Sequence, residues 1–187
     1  MEWQRLIRPS SVYLVSILIF LSGCDKVNKQ TSARQKLLQE RSEISQYDVA
    51  VQALSNQRSL WISTMEGVNR QSSPDSVRSF TQKTLLPALT NYVNALKEIT
   101  TTNERLDPIH QSLVTAHNKL LQAYTRFSKQ LSPKNYAALR EPLARALSHF
   151  NAAQGRYRHE LDKVCNALGI TLLKDGTSPQ AGQATEH

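Results

Sequence analysis

Residues 106–127 read "LDPIHQSLVTAHNKLLQAYTRF", and the spacing of the apolar side chains within them decides the fold class. Leu106, Leu113, Leu120 and Phe127 recur every seven residues, and Ile109, Ala116 and Ala123 fall between them. A half-buried strand would alternate from one residue to the next. This pattern has the period of about 3.5–3.6 residues that puts one apolar stripe on a helix. Small residues alternate with large ones along it, which suits a partner helix pressed close. The helix starts between Asn103 and Pro108, where Asp107-Pro108 makes a cap-plus-proline pair.

Working outward, the same period returns on both sides. Upstream, Val77, Phe80, Leu85, Leu89, Tyr92 and Leu96 mark a helix over about residues 74–100. Ser73 is a good N-cap with Pro74 at the first helical position, and Pro87 inside is expected to kink the helix. Further upstream, Ile44, Tyr47, Val51, Leu54, Trp61 and Val68 predict one long helix over about 33–70, with Arg58 interrupting its stripe. Downstream, Tyr136, Leu143, Phe150, Tyr157 and Val164 are seven apart and predict a helix over about 133–168. Ser132-Pro133 repeats the cap signal, Pro142 predicts a bend without a break, and Gly169 reads as the stop. Arg156–Glu160 and Arg158–Asp162 are four-apart pairs on its outer face.

Four amphipathic helices with short connections argue for an all-α fold, an elongated antiparallel four-helix bundle of up-down topology with kinked helices. The bundle domain spans 34–169 and would stand roughly 40–55 Å tall at the usual helical rise. Two loosely packed hairpins, or a dimer that completes its core between chains, are the alternatives. Residues 170–187, "ITLLKDGTSPQAGQATEH", have the composition of a disordered tail.

The N-terminus carries an address. Arg5 and Arg8 precede the apolar run "VYLVSILIFL" at 12–21, which matches a secretory signal core and is shorter than the about 20 residues of a membrane span. Leu21-Ser22-Gly23-Cys24 follows, and this tetrapeptide resembles the lipobox of bacterial lipoproteins. The resemblance covers residues 1–25 alone. It implies that 1–23 is a signal peptide, that Cys24 becomes the first mature residue and the lipid attachment site, and that 24–33 is a tether. Each buried methylene contributes about 0.8 kcal/mol, so two or three acyl chains would hold the protein on a membrane. The resemblance further implies that Asp25 is a sorting signal favouring the inner membrane over the outer, with the domain facing the periplasm.

Cysteine and charge set further bounds. With Cys24 lipidated, Cys165 is the one thiol left, so stability comes from packing rather than an intramolecular disulfide. The formal net charge is +8 over 187 residues, and near +7 once residues 1–23 are removed. An exported basic protein is drawn to anionic headgroups or acidic wall polymers. Nucleic acid is not an expected partner, because export and the lack of an aromatic–basic platform point away from it.

The candidate chemistry is sparse. His110 and His117 lie seven apart on one helix, which sets their rings about 10 Å apart, too far to share one metal ion. They read as fillers flanking the core, with His149 and His159 as further imidazoles. Cys165 reads as a semi-buried structural thiol, since the adjacent Lys163 does not face it. No covalent-haem motif, carboxylate-bundle motif, nucleophile elbow or phosphate loop occurs. The expectation is therefore a noncatalytic, membrane-anchored envelope lipoprotein with no cofactor and no metal site, which binds an envelope protein partner or stiffens an assembly. Self-association stays open. The alternative is a bundle that holds a small apolar ligand, a metal or noncovalent haem in its core.

Overall fold

A computed structural model describes residues 13–172, with side chains described from residue 31 onward. Every regular element among the described residues is helical, in agreement with the class read from the spacing. The elements are α1 Tyr13–Gln52, α2 Ser55–Asn69, α3 over 74–98, α4 Leu106–Gln130 and α5 Tyr136–Ala167. The chain divides into two units, Met1–Glu40 and Arg41–His187. Of the first, the structure describes the leading part of α1, where Leu37 and Leu38 are exposed. The side chains of Cys24 and Asp25 lie outside the described residues, as does most of the expected tail. None of the described helices is long and apolar enough to cross a membrane.

The second unit holds the core. Ile44, Trp61, Leu89, Leu96, Leu106 and Leu120 are buried in one continuous cluster that draws on all five helices. These are the stripe residues of the heptad pattern, and their removal from water is the main force that holds the helices together. α4 runs closely along α5, and α3 packs against both α2 and α4.

The helices differ in detail from the expectation, each time for a local reason. The helix expected over 33–70 is broken at Ala53 and Leu54. Leu54 N–H donates to the Val51 carbonyl in a tightened turn, and Arg58 N–H restarts the ladder on the Leu54 carbonyl. The break falls one turn before Arg58, the charged residue in the seam register, and Arg58 is left half-buried instead of entering the core. α3 meets Pro87 with a π-helical turn, Thr81–Leu85, between Pro74–Phe80 and Leu86–Glu98. Proline cannot donate one turn back and its ring crowds that carbonyl, and a widened turn relieves both.

α4 begins at Leu106, and its cap is Asn103 rather than Asp107. Asn103 Oδ1 accepts from the N–H groups of Arg105 at 3.0 Å and Leu106 at 3.3 Å. α5 begins at Tyr136, not at Pro133, because Asn135 organises the turn. Its Oδ1 accepts from Ser132 N–H and its Nδ2 donates to the Gln130 carbonyl, both at 2.8 Å. The Ser73 cap is present as a capping box with Ser76. α5 continues through Pro142 without a break.

α5 ends as its glycine predicts. Gly169 has φ +62°, the Ile170 N–H reaches the Cys165 carbonyl, and the Gly169 N–H reaches that of Asn166. Arg41 Nη2 donates to the Gly169 carbonyl at 3.0 Å, tying this end to α1. Ile170 and Leu172 pack against the core, so the first residues of the expected tail belong to the fold. On the outer face, Glu160 takes Lys163 at 2.9 Å in place of the expected Arg156.

Candidate functional site: a buried imidazole network and an open groove

Both histidines of α4 that the sequence singles out are inside the core, at 2% and 1% exposure for His110 and His117. The His117 Nδ1 lies 2.8 Å from the Leu113 carbonyl, and its Nε2 lies 3.2 Å from Gln154 Nε2. A carbonyl only accepts, so these partners assign the proton to Nδ1 and leave Nε2 to accept from the Gln154 amide. The ring packs edge-on against Trp61, Tyr92 and Phe150, with centroids 4.9–5.9 Å away. Burial lowers its pKa to about 4, so it is neutral at ordinary pH.

His110 belongs to a second cluster. Tyr47 Oη lies 3.2 Å from His110 Nδ1 and 3.2 Å from Tyr157 Oη. The Tyr47 hydroxyl thus stands between the His110 imidazole and the Tyr157 hydroxyl, in hydrogen-bond contact with each. One hydrogen-bonded chain thus links α5, α1 and α4. Burial lowers the His110 pKa and raises those of both tyrosines. Tyr124, on the same helix as the histidines, is pushed up to about 12 by its burial.

Burial thus favours the neutral form of each of these groups. Neither imidazole lines either of the concave surfaces described below. A general base works best with a pKa near the operating pH and within reach of a substrate. Among the described residues, no group of three or more His, Cys, Asp or Glu side chains comes together to hold a metal ion.

The smaller concavity, about 420 Å³, is lined by Asp48, Arg58, Tyr157, Cys165, Ile170 and Leu172 among others. Cys165 is 2% exposed, and burial, with Asp48 and Asp162 nearby, pushes its thiol up to about 11. It stays protonated, and a thiol in that state is a poor nucleophile.

The larger one is an open groove of about 1230 Å³ between α4 and α5. Its floor is apolar and mostly small: Ile109, Ala116, Leu120, Ala123, Phe150 and Ala153. Its edges carry Arg105, Lys119, Arg126, His149 and Arg156, with Glu160 as the one carboxylate among the lining residues. On α4 it extends from Arg105 to Arg126, about 31 Å of helix, and on α5 from Ala146 to Val164, about 27 Å. Comparison with protein-family models, with curated proteins and with solved structures finds no match.

Sequence reasoning placed the histidines beside the core seam and Cys165 as semi-buried, whereas the structure buries all three fully, and it missed the network that joins Tyr47, His110 and Tyr157. A signal was present. Tyr47 and Tyr157 sit in stripe positions, and a buried tyrosine hydroxyl needs a partner. The groove was missed because the heptad spacing of Ala116, Ala123, Ala146 and Ala153 suits a close partner helix without saying which chain supplies it. The structure leaves one side of that alanine seam open.

Proposed function

We propose that this protein is a noncatalytic envelope lipoprotein, anchored through lipid on Cys24, whose helical domain binds a protein partner at the periplasmic face of the membrane, the inner membrane in preference to the outer. The reading takes the arms 41–69, 74–98, Leu106–Gln130 and Tyr136–Ala167 as an antiparallel up-down bundle, which their short connections support. The observation that carries the interaction role is the α4–α5 groove, an open apolar surface with charged edges on a domain whose two α4 imidazoles are buried in the core. The anchor rests on Leu21-Ser22-Gly23-Cys24 after an apolar run. A haem or metal held in the core is the weaker reading, since both nitrogens of His117 and the Nδ1 of His110 already face partners within the fold.

Two experiments test it. Labelled fatty acid should enter the wild-type protein in bacterial cells and be absent from Cys24→Ser, and equal labelling of the two would remove the anchor. Affinity capture from solubilised membranes should return a defined envelope protein. Repeated captures that return only this chain, with no self-association, would remove the interaction role.

A further inference from the structure

We propose that the groove between α4 and α5 seats one acidic amphipathic helix of about 18 residues from a partner protein, its length set by the shorter wall. This deepens the interaction reading above and is independent of the lipid anchor.

The walls have the register of a helix-packing surface. On α4 an inner row, Ile109, Ala116 and Ala123, and an outer row, Arg105, Ser112, Lys119 and Arg126, each repeat every seven residues. On α5 the inner row is Ala146 and Ala153, and the outer row is His149 and Arg156, again seven apart. Regular rows on two neighbouring helices make the holes into which the knobs of a third helix fit. The alanines let its backbone come close. The single layer of α4 and α5 thus presents a seam built for a helix that this unit does not place there.

Charge selects the occupant. The lining residues include the permanent cations Lys119, Arg126 and Arg156, against one carboxylate, Glu160, which already holds Lys163 at 2.9 Å. Complementary edges on the incoming helix are therefore acidic. A second copy of this chain fits poorly, because its formal charge is +8 and its groove has the same sign. Residues 173–187 offer only Leu173, Ala181 and Ala184 as apolar side chains, without a helical period. One acyl chain fills only half of a bilayer's hydrocarbon core, about 15 Å. The groove is about 27 Å long on its shorter wall.

The probe is a labelled synthetic 18-residue helix with Leu at its core positions and Glu on the flanks, paired with an isomer carrying Lys in place of Glu. Binding to the full chain in zwitterionic vesicles is read by fluorescence anisotropy. The Glu helix should bind at least about tenfold more tightly than the Lys helix at low salt, with the gap narrowing as salt screens the edges. The double variant Lys119→Glu/Arg126→Glu should reverse the preference, and Ala123→Trp should block both helices. Equal binding of the two isomers, or a preference untouched by the charge reversal, overturns the proposal. So does a photoreactive residue at position 153 that traps lipid or a second copy in place of the helix. Circular dichroism checks that each variant folds. If Ala123→Trp does not, the exposed Lys119 and Arg126 decide alone. Fatty-acid labelling of Cys24 is read separately, so loss of the anchor and loss of the groove are told apart.

Discussion

The imidazole of His117 is neutral because the ring is enclosed by Trp61, Tyr92 and Phe150, and this makes the fold sensitive to acid. Its pKa falls from the ordinary 6.5 to about 4 on folding. Above pH 6.5 both the folded and unfolded chains are neutral at this site, and its contribution is present in full. As pH drops from 6.5 toward 4 the unfolded chain takes up a proton that the folded chain refuses, so stability is lost through that window. One such group contributes a slope of at most about 1.4 kcal/mol per pH unit. His110, also lowered, acts in the same direction. Urea denaturation at pH 7.5 and pH 4.5 should show His117→Phe losing less stability than wild type over this interval. Equal losses would mean that the buried ring protonates as readily as a free one. Tyr47→Phe tests the neighbouring chain. It leaves His110 Nδ1 and the Tyr157 hydroxyl without their shared partner, and denaturation at pH 7.5 should show a cost of about 1–3 kcal/mol. No loss would show that the two 3.2 Å contacts contribute nothing net.

Helices are punctuated here by single residues, and two glycines of α5 make the point in opposite directions. Gly155 stands inside the helix with no atom within 4 Å of where a Cβ would lie. Gly155→Ala should therefore stabilise the protein by about 0.5–1 kcal/mol through backbone entropy alone. Gly169 has φ +62° and closes the helix, so Gly169→Ala should cost about 1–2 kcal/mol. Thermal denaturation should move the two midpoints apart, and shifts of the same sign would contradict this account of the helix end. At this scale the sequence was most legible where one residue does one job, as Ser73, Pro74 and Gly169 do. It was less legible where candidates competed. Asn103 and Asp107 both suit a cap, and only the position of Asn103 beside Glu43, at 3.0 Å, shows which one is held in place. Ser132 yields to Asn135 for the same kind of reason, since the amide can serve Ser132 and Gln130 together.

At the scale of the molecule, burial of Cys165 under α1 and the end of α5 predicts that its reactivity reports global unfolding. In a Cys24→Ser chain, thiol labelling at pH 8 should be slow in the native state. It should rise with urea along the same curve as the loss of helix seen by circular dichroism. Labelling that runs ahead of that curve would show a local opening toward the smaller concavity. The sequence by itself determined the helical class, the stripes that form the core and most helix ends, because those follow from a short period and from local backbone hydrogen bonding. Tertiary structure alone decided the hydrogen-bond chain that joins Tyr157, Tyr47 and His110, and the open side of the alanine seam. Each depends on which residues far apart in the chain come to face one another. A heptad stripe records that a surface is apolar, and leaves undetermined whether the helix that covers it lies in the same chain.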